Sequence, residues 1–271
     1  MKKLIILSLL FVSVCIHSQI PDTRVVYEWP FSDTSIWNMP IGSDAIYVHA
    51  QIEKATMAGM TIDEDILFLD GNAPMQNVYY NASGWSREIN RCEPEETLLL
   101  SIPMYPDFIV GPETWEGDTP NSGVAAIMPD GRTIVQTQPF AQCKEGIATS
   151  KFVVKTVDIY GEGALGAHGG SGLSAIGGTL RLGELNEATD VIRHALKENI
   201  FAGKNLYYDD KTKGYRWPAI RSDGYAQNTY YKKRTGPIVV ECRMGALLAL
   251  PQNLDLDALE FETIPARILA D

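Results

Sequence analysis

The sequence predicts a mainly β protein, a sandwich or jelly roll with one or two short helices. Short apolar or alternating runs recur along the chain, and turn signals rich in Gly, Pro, Asn and Asp separate them. Many short strands at such spacing are typical of sandwiches and barrels. No repeat or low-complexity linker divides the 271 residues. We therefore expect a single β-rich domain over residues 19–271.

Seven runs have the composition of β-strands. In chain order they are residues 24–28, 45–49, 97–102, 123–128, 133–138, 151–159 and 237–250. The sequence Pro129-Asp130-Gly131 joins two of these runs across a few residues. Such a turn between two strand-like runs predicts a β-hairpin.

Two segments have helical periodicity. Residues 186–200 place Val191, Ala195 and Leu196 on one face, and Lys197 comes late, as the helix dipole favours. The second segment runs from about residue 265 to the C-terminus. These segments are the one or two helices that we expect beside the strands.

The N-terminus has the form of a secretory signal peptide at residues 1–18. Lys2 and Lys3 precede an apolar run from Leu4 to Ile16, and the small residue Ser18 stands before Gln19. The run is shorter than the roughly 20 residues that a membrane-spanning helix needs. We therefore expect cleavage before Gln19, no membrane insertion afterwards, and a secreted or periplasmic protein.

Export would place the chain in an oxidising compartment, where disulfides form. Cys92, Cys143 and Cys242 follow the predicted cleavage position. We expect one disulfide, with Cys92–Cys143 the preferred pair, and one free thiol. The cysteines form no CxxC motif, which argues against zinc. No cofactor and no metal ligands are predicted, although the many acidic residues leave a divalent cation open.

Charge is distributed unevenly along the chain. The formal net charge of −11 argues against nucleic acid and anionic membranes as partners. Residues 204–234, here named the basic aromatic segment, carry eight basic and three acidic residues and a local charge of +5. The aromatic residues interleaved with these charges are Tyr207, Tyr208, Tyr215, Trp217, Tyr225, Tyr230 and Tyr231.

The basic aromatic segment predicts an acidic poly- or oligosaccharide as partner. Arginine binds carboxylate or sulfate groups bidentately, and aromatic rings stack on the apolar faces of sugars. We expect Arg216, Trp217 and Arg221 to contact the substrate. A solvated basic loop is the alternative interpretation.

Residues 161–185, here named the glycine-rich segment, read GEGALGAHGGSGLSAIGGTLRLGEL. Glycine costs backbone entropy, so such density predicts sharp turns, positive φ angles or a close approach of backbone to a ligand. A purely structural crossover is the alternative. The motifs of phosphate-binding loops and of the serine hydrolase elbow are absent from the segment.

His168 is the candidate base or acid of the glycine-rich segment. It precedes Gly169-Gly170, so little side-chain bulk follows it and we expect it to be accessible. Imidazole exchanges protons readily near neutral pH, which suits general acid–base catalysis. A hydrogen-bonded turn residue is the alternative role.

Elimination at a uronic acid would use both segments in one cleft. The reaction needs a cation or amide to neutralise the carboxylate, a base for the C5 proton and an acid for the group that leaves C4. The predicted catalytic residues are His168, Tyr215 and Tyr225. The predicted substrate-binding residues are Arg181, Gln136 and Gln138, beside the three named above.

The chain also resembles exported proteins of marine Bacteroidetes polysaccharide-utilisation systems. The resemblance lies in the signal peptide ending His17-Ser18-Gln19, the β-rich domain and the inventory of His, Arg, Tyr and Gln. It implies a jelly-roll polysaccharide lyase or a related oligosaccharide dehydratase, with ulvan-type uronates among the substrates.

The predicted function is therefore exported β-elimination on uronic-acid-containing poly- or oligosaccharides. Two alternatives stay open at this point. One is a carbohydrate-binding protein without catalysis. The other is a glycoside hydrolase, which needs two facing carboxylates, and Glu162 and Glu184 flank the glycine-rich segment.

Overall fold

The computed structural model describes most of the chain. The described residues are 24–53, 65–86, 89–110, 121–181, 183–186, 192–251 and 253–259, with Phe261 and Arg267. Within them the strands are β1 (Ile66–Phe68), β2 (Met75–Tyr80), β3 (Leu98–Pro103), β4 (Val124–Ile127), β5 (Thr133–Gln138), β6 (Ala141–Lys144), β7 (Ile147–Ser150), β8 (Phe152–Asp158) and β9 (Leu165–His168). The helices are α1 (Ala202–Asn205) and α2 (Ala226–Thr229).

Eight of these strands form two four-stranded sheets. Sheet A has the order β1-β4-β5-β8 and sheet B the order β3-β2-β7-β6. Each sheet contains one parallel pair, β1 with β4 and β2 with β7, and its other pairs are antiparallel. The two sheets pack as a sandwich, so the predicted fold class is confirmed, and the described strands close no barrel.

β4 lies at the centre of the sandwich and is buried on both faces. Val124 and Ala126 join a core cluster with Val78 and Ile102 of sheet B. Ala125 and Ile127 point to the opposite face of sheet A and join a second cluster. Side chains alternate between the two faces of a strand, so a continuous apolar run is what a strand with two buried faces requires.

The second face of sheet A is covered by the N-terminal region and the glycine-rich segment. Phe31 and Trp37 pack there with Ala167, Leu173 and Ile176. The Trp37 indole nitrogen donates a hydrogen bond of 2.9 Å to the carbonyl of Gly163. A Cβ atom at Gly177 would lie 2.3 Å from the same indole, so this layer can approach Trp37 only with glycine there.

The structure confirms four of the predicted strands. Residues 97–102, 123–128, 133–138 and 151–159 correspond to β3, β4, β5 and β8. The predicted hairpin is also confirmed, because β4 and β5 pair antiparallel across Pro129-Asp130-Gly131. The Asp130 carboxylate accepts hydrogen bonds from the backbone N–H groups of Arg132 and Thr133, which closes the turn.

Three other strand predictions are wrong. Residues 24–28, 45–49 and 237–250 form turns and irregular backbone. In the last of these, the carbonyl of Cys242 accepts a hydrogen bond from the Tyr207 N–H, and that of Val239 accepts one from the Tyr231 hydroxyl. These carbonyls therefore bond to neighbouring loops and to no strand.

The predicted helix over residues 186–200 is wrong in its described part. Residues 192–200 are irregular, and residues 187–191 lie outside the described chain. The N–H of Ala195 donates to the carbonyl of Trp37, and the N–H of Lys197 donates to that of Gly178. These long-range bonds replace the bonds of a helix. The predicted C-terminal helix falls on residues of which only Arg267 is described.

A disulfide joins Cys92 to Cys143, with the two Cα atoms 5.5 Å apart, so the preferred pairing is confirmed. The bond links the loop before β3 to β6. Beside it, burial lowers the pKa of Arg91 to about 10, and Arg91 Nε donates to the carbonyl of Gly84 at 2.8 Å. Cys242 is a buried free thiol.

The predicted signal peptide, residues 1–18, lies outside the described residues. In the part of the chain that the structure does describe, no helix has the length and apolar character needed to cross a membrane.

Candidate functional site

The candidate site is built around a tight turn that follows β9. β9 ends at His168, and residues 169–172, here named the glycine turn, reverse the chain. The N–H of Gly172 donates to the carbonyl of His168 at 3.1 Å. Leu173 then forms bridges back to Leu165 and His168. His168 therefore stands at the point where the chain turns back on itself.

Two glutamines of β5 attach β9 and the glycine turn to sheet A. Gln136 Oε1 accepts the N–H groups of Ala167 and Ala175, at 3.3 and 2.9 Å, and its Nε2 donates to Leu165. Gln138 Oε1 accepts the N–H of Gly169 at 3.0 Å. Both side chains are buried. The structure thus buries these two predicted substrate-binding residues, with Gln138 bonded to the backbone of the turn and Gln136 bonded to the backbone on either side of it.

The glycine turn packs against residues 220–223 of the basic aromatic segment. The N–H of Ile220 donates to the carbonyl of Ser171 at 3.0 Å. Arg221 Nη2 donates to the carbonyl of Gly169 at 3.3 Å. Gly170 approaches Asp223 so closely that a Cβ atom would lie 2.1 Å from Asp223 Oδ1. The glycine-rich and basic aromatic segments therefore meet at this turn.

Asp223 is held at the turn by a buried tyrosine. The Tyr230 hydroxyl donates a hydrogen bond of 2.8 Å to Asp223 Oδ2. Burial raises the pKa of Tyr230, and the Asp223 carboxylate raises it further, so the phenol stays protonated at neutral pH. No local sequence pattern marks Asp223 as a residue of the site. The pair Gly169-Gly170 indicated a close approach at this point but not which residue makes it.

The exposed side of the site is cationic and aromatic. Trp217 is 70% exposed and Tyr225 is 58% exposed. Arg216 and Arg221 are exposed on the same stretch of chain. The stretch is anchored by buried Ala219 and by the backbone bond from the N–H of Arg216 to the carbonyl of Met244. This arrangement presents guanidinium groups and ring faces to solvent.

His168 is less accessible than the sequence suggested. Only 7% of the surface of His168 is exposed to solvent, so the expected accessibility is wrong. The reason is that β9 packs against β5 and β8 and does not project as a free loop. Small neighbours here allow close packing of the backbone.

Arg181 lies in a different environment. Its guanidinium lies 5.8 Å from the centre of the Trp29 ring and 3.9 Å from Glu184 Oε1. Burial lowers the pKa of Arg181, and Glu184 partly offsets that effect. Glu184 Oε1 also faces His194 Nε2 at 2.8 Å.

Tyr215 is also placed apart from the turn by the described contacts. It forms an isolated parallel bridge with Met244 and is half-buried. Of the three predicted catalytic residues, His168 adjoins the glycine turn directly, and Tyr225 lies two residues beyond Asp223. The structure therefore brings Arg221 into contact with the turn that follows His168, and Tyr225, Arg216 and Trp217 lie within five residues of Arg221 along the chain.

Among the described residues, no group of three or more His, Cys, Asp or Glu side chains could hold a metal ion. No protein-family model, curated protein or solved structure matches this chain.

Proposed function

We propose that the protein binds uronic-acid-containing poly- or oligosaccharides at the glycine turn and acts on them by β-elimination. The observation that carries the proposal is the contact between the glycine turn and residues 220–223. That contact brings the backbone turn after buried His168 against the loop that carries exposed Arg221, and exposed Tyr225 follows four residues later in the same loop. A uronate substrate requires these three chemical functions.

Arg221 is the proposed partner of the uronate carboxylate. A guanidinium has five N–H donors, and the bond to Gly169 occupies one nitrogen, so other donors are free to bind a carboxylate bidentately. Neutralising the carboxylate makes the neighbouring C5 proton more acidic. Arg216 adds positive charge, and the exposed Trp217 ring offers a face on which a sugar can stack.

The proposed reaction moves two protons. Neutral His168 removes the proton at C5, the electron pair forms the C4–C5 double bond, and the bond from C4 to its oxygen breaks. Tyr225 donates a proton to that oxygen. The reaction forms an unsaturated uronate and releases the leaving group. That group leaves as water when it is a hydroxyl, as in a dehydratase, or as a shortened saccharide when it is a glycosidic oxygen, as in a lyase. The exposed 7% of His168 must then include the nitrogen that accepts the proton.

Asp223 and Tyr230 are positioning residues in this proposal. Their mutual hydrogen bond fixes the loop that carries Arg221 and Tyr225 against Gly170. Substrate contact is not required of either one. Gln136 and Gln138 fix the other side of the turn from within sheet A.

Glycan binding without catalysis is the second candidate. It is favoured by one observation, the burial of His168, because a binding protein needs the exposed Arg216, Trp217, Arg221 and Tyr225 but no base. The two candidates predict the same ligand and differ only in whether a product forms.

The test is incubation of the protein with ulvan, alginate, pectate and glucuronan fragments. The conjugated double bond of an unsaturated uronate absorbs in the ultraviolet, so elimination raises the absorbance. On an active substrate, His168→Ala should lower the rate by about 10²- to 10⁴-fold while binding is kept. His49→Ala is the matched control, because His49 is exposed and its described bond is to the N–H of Gln51.

The outcomes separate the candidates. Binding without an ultraviolet product would support the binding protein, and new reducing ends without that product would indicate hydrolysis. A His168→Ala variant with undiminished turnover would assign His168 to turn structure. No binding to any acidic glycan would refute the proposal as a whole.

Export is part of the same proposal. A disulfide and the N-terminal sequence pattern both support a protein that acts outside the cytoplasm. N-terminal sequencing of protein recovered from the periplasm or medium should find Gln19 first. Recovery of a chain that begins at Met1 in the membrane fraction would contradict the predicted cleavage.

A further inference from the structure

A surface pocket lies on the sandwich at the end of β1 and beyond β3, lined by Phe68, Tyr105, Asp107 and Phe108. The pocket is shallow and open to solvent, and its volume is about 450 Å³. None of these four residues belongs to the glycine turn or the basic aromatic segment. A ligand in this pocket would therefore contact none of the residues of the proposed glycan site.

The pocket presents aromatic rings that are supported by the core. The Phe68 ring meets the Phe108 ring edge to face, with centroids 5.1 Å apart, and contacts buried Phe140 at 6.0 Å. Tyr105 is 53% exposed and Phe108 is 40% exposed. Contiguous exposed aromatic surface of this kind is a common feature of binding sites.

The loop that carries Tyr105 and Phe108 is held in a fixed conformation. Gln142 of β6 is fully buried, and its Nε2 donates to the carbonyls of Pro106 and Phe108 at 2.9 and 2.7 Å. Val110 pairs with the Gln142 backbone in an antiparallel bridge. The rings are therefore organised before any ligand arrives, which lowers the entropy cost of binding.

The charge at the pocket is negative. Asp107 lines it directly. The Tyr105 hydroxyl donates a hydrogen bond of 2.7 Å to Asp70 Oδ2, and the N–H of Asn72 donates to Asp70 Oδ1. The bond from Tyr105, and then that from Asn72, lower the pKa of Asp70, so its carboxylate stays ionised. The described lining contains no Lys or Arg.

We propose that this pocket binds a small organic cation, an ammonium group that carries alkyl substituents. Aromatic faces attract such cations through the ring quadrupole, and a nearby carboxylate supplies the counter-charge. The overall charge of −11 adds to the attraction. An acidic saccharide would be repelled, and a neutral sugar needs more hydrogen-bonding groups than Asp107 and a Tyr105 hydroxyl that already donates to Asp70.

The test is a calorimetric titration with choline and with its uncharged isostere, in which carbon replaces nitrogen. The two molecules have nearly the same shape, so the comparison isolates the charge. Choline should bind, and the isostere should bind about tenfold more weakly. Equal affinity for choline and the isostere would show that the pocket does not recognise the positive charge, and it would overturn the proposal. The absence of choline binding would overturn it as well.

Variants connect the binding to the pocket. Phe108→Leu removes a ring, and Asp107→Asn removes the charge while preserving the shape, so each should weaken choline binding several-fold. Phe152→Leu is the control, because Phe152 is 44% exposed and stacks on Trp85, outside the pocket. Choline affinity that survives both pocket variants would place the binding elsewhere and overturn the proposal.

A vesicle assay identifies the source of the cation. Choline binding without sedimentation on phosphatidylcholine vesicles assigns a free small molecule as the ligand. Sedimentation that choline competes away, and that Asp107→Asn abolishes, assigns the same pocket chemistry to a lipid headgroup.

Discussion

Gly170 is the residue on which the candidate site depends most directly. Asp223 Oδ1 lies 2.1 Å, and the Asp223 backbone nitrogen 2.9 Å, from the position that a Cβ atom would take. Real Cβ atoms do not approach other atoms so closely. The absence of one methyl group therefore allows the glycine turn to meet residues 220–223, and with them Arg221.

We predict that Gly170→Ala separates the two segments. The clash should lower the free energy of unfolding by about 1–3 kcal/mol, and it should weaken binding of acidic glycans because Arg221 moves. Gly224→Ala is the matched control in the same loop, since no atom lies within 4 Å of its Cβ position. Denaturant unfolding of both variants measures the difference in stability. Equal stabilities would show that Asp223 moves aside without a measurable cost in free energy.

Cys242 gives a second prediction at the level of a single residue. Burial raises the pKa of its thiol, and the thiolate is the form that reacts with alkylating reagents. A raised pKa means less thiolate at every pH below it, so alkylation of the folded protein should be slow even in mildly alkaline buffer. Unfolding without reductant should expose one reactive thiol in a chain that begins at Gln19. Mass spectrometry counts the labels, and fast labelling of the native protein would contradict the burial.

At the scale of elements, local patterns predicted the structure where local contacts determine it. The hairpin of β4 and β5 depends on adjacent runs and on the turn at Asp130, all visible in the sequence. β2, with the sequence MQNVYY, escaped prediction because polar Gln76 shares a face with buried Val78 while apolar Met75 is exposed, and because its partners lie far along the chain.

The apolar periodicity of residues 186–200 predicted a helix wrongly, because contacts with distant residues determine the path of this segment. Lys197 Nζ donates to Asp65 Oδ2 at 2.6 Å and to the carbonyl of Ser174 at 2.8 Å. Together with the backbone bonds of Ala195 and Lys197, these contacts hold the described part of the segment in an irregular path across the core. Tertiary contacts of this kind override helix propensity and leave no local signal.

The candidate site shows the same limit. Its residue types were predictable, since histidine, arginine and tyrosine suit the chemistry of a uronate. Their grouping was not, because Arg221 bonds to Gly169 only where Gly170 lets Asp223 approach, whereas the Arg181 guanidinium lies over Trp29. The structure also gives Gln136 contacts that the sequence could not reveal, because they depend on the unpredicted strand β9.

We predict that Gln136→Leu destabilises the protein by about 2–4 kcal/mol. The change leaves the buried N–H groups of Ala167 and Ala175 and the carbonyl of Leu165 without their side-chain partner, and each such loss costs about 1–3 kcal/mol. Gln227→Leu, at an exposed position of α2, should change stability by less than about 0.5 kcal/mol. Thermal unfolding compares the two, and a neutral Gln136→Leu would mean that β9 is held by packing alone.

At the scale of the whole molecule, three layers support the candidate site. Sheet B packs on sheet A, and the glycine-rich segment packs on the other face of sheet A with Phe31 and Trp37. The disulfide adds a covalent link across 51 residues of sequence, which restricts the unfolded chain. The glycine turn is thus carried by a buried sheet, while the exposed arginines beside it belong to a loop.

The charge distribution sets the final prediction. An acidic glycan approaches a protein of net charge −11, so attraction must come from the basic aromatic segment. Affinity for a bound uronate oligosaccharide should fall as sodium chloride is raised from about 0.1 M to about 1 M, because the screening length shortens from about 10 to about 3 Å. An affinity that does not change with salt concentration would show that charge does not select the ligand.

Two charge-matched double variants then distinguish a site from general attraction. Arg216→Gln with Arg221→Gln removes two exposed positive charges, that of Arg221 at the glycine turn and that of Arg216 five residues earlier in the chain. This pair should weaken binding by about tenfold or more, since bonds to charged groups contribute about 1.5–3 kcal/mol each. Lys232→Gln with Lys233→Gln removes two exposed charges beyond α2, where the N–H of Lys233 bonds to Gly203. This pair should change affinity by less than about threefold, the loss expected from long-range attraction alone. Calorimetry at one salt concentration measures both affinities. Equal losses of affinity in the two variants would show that the glycan is attracted by the total charge of the basic aromatic segment and has no site at the turn.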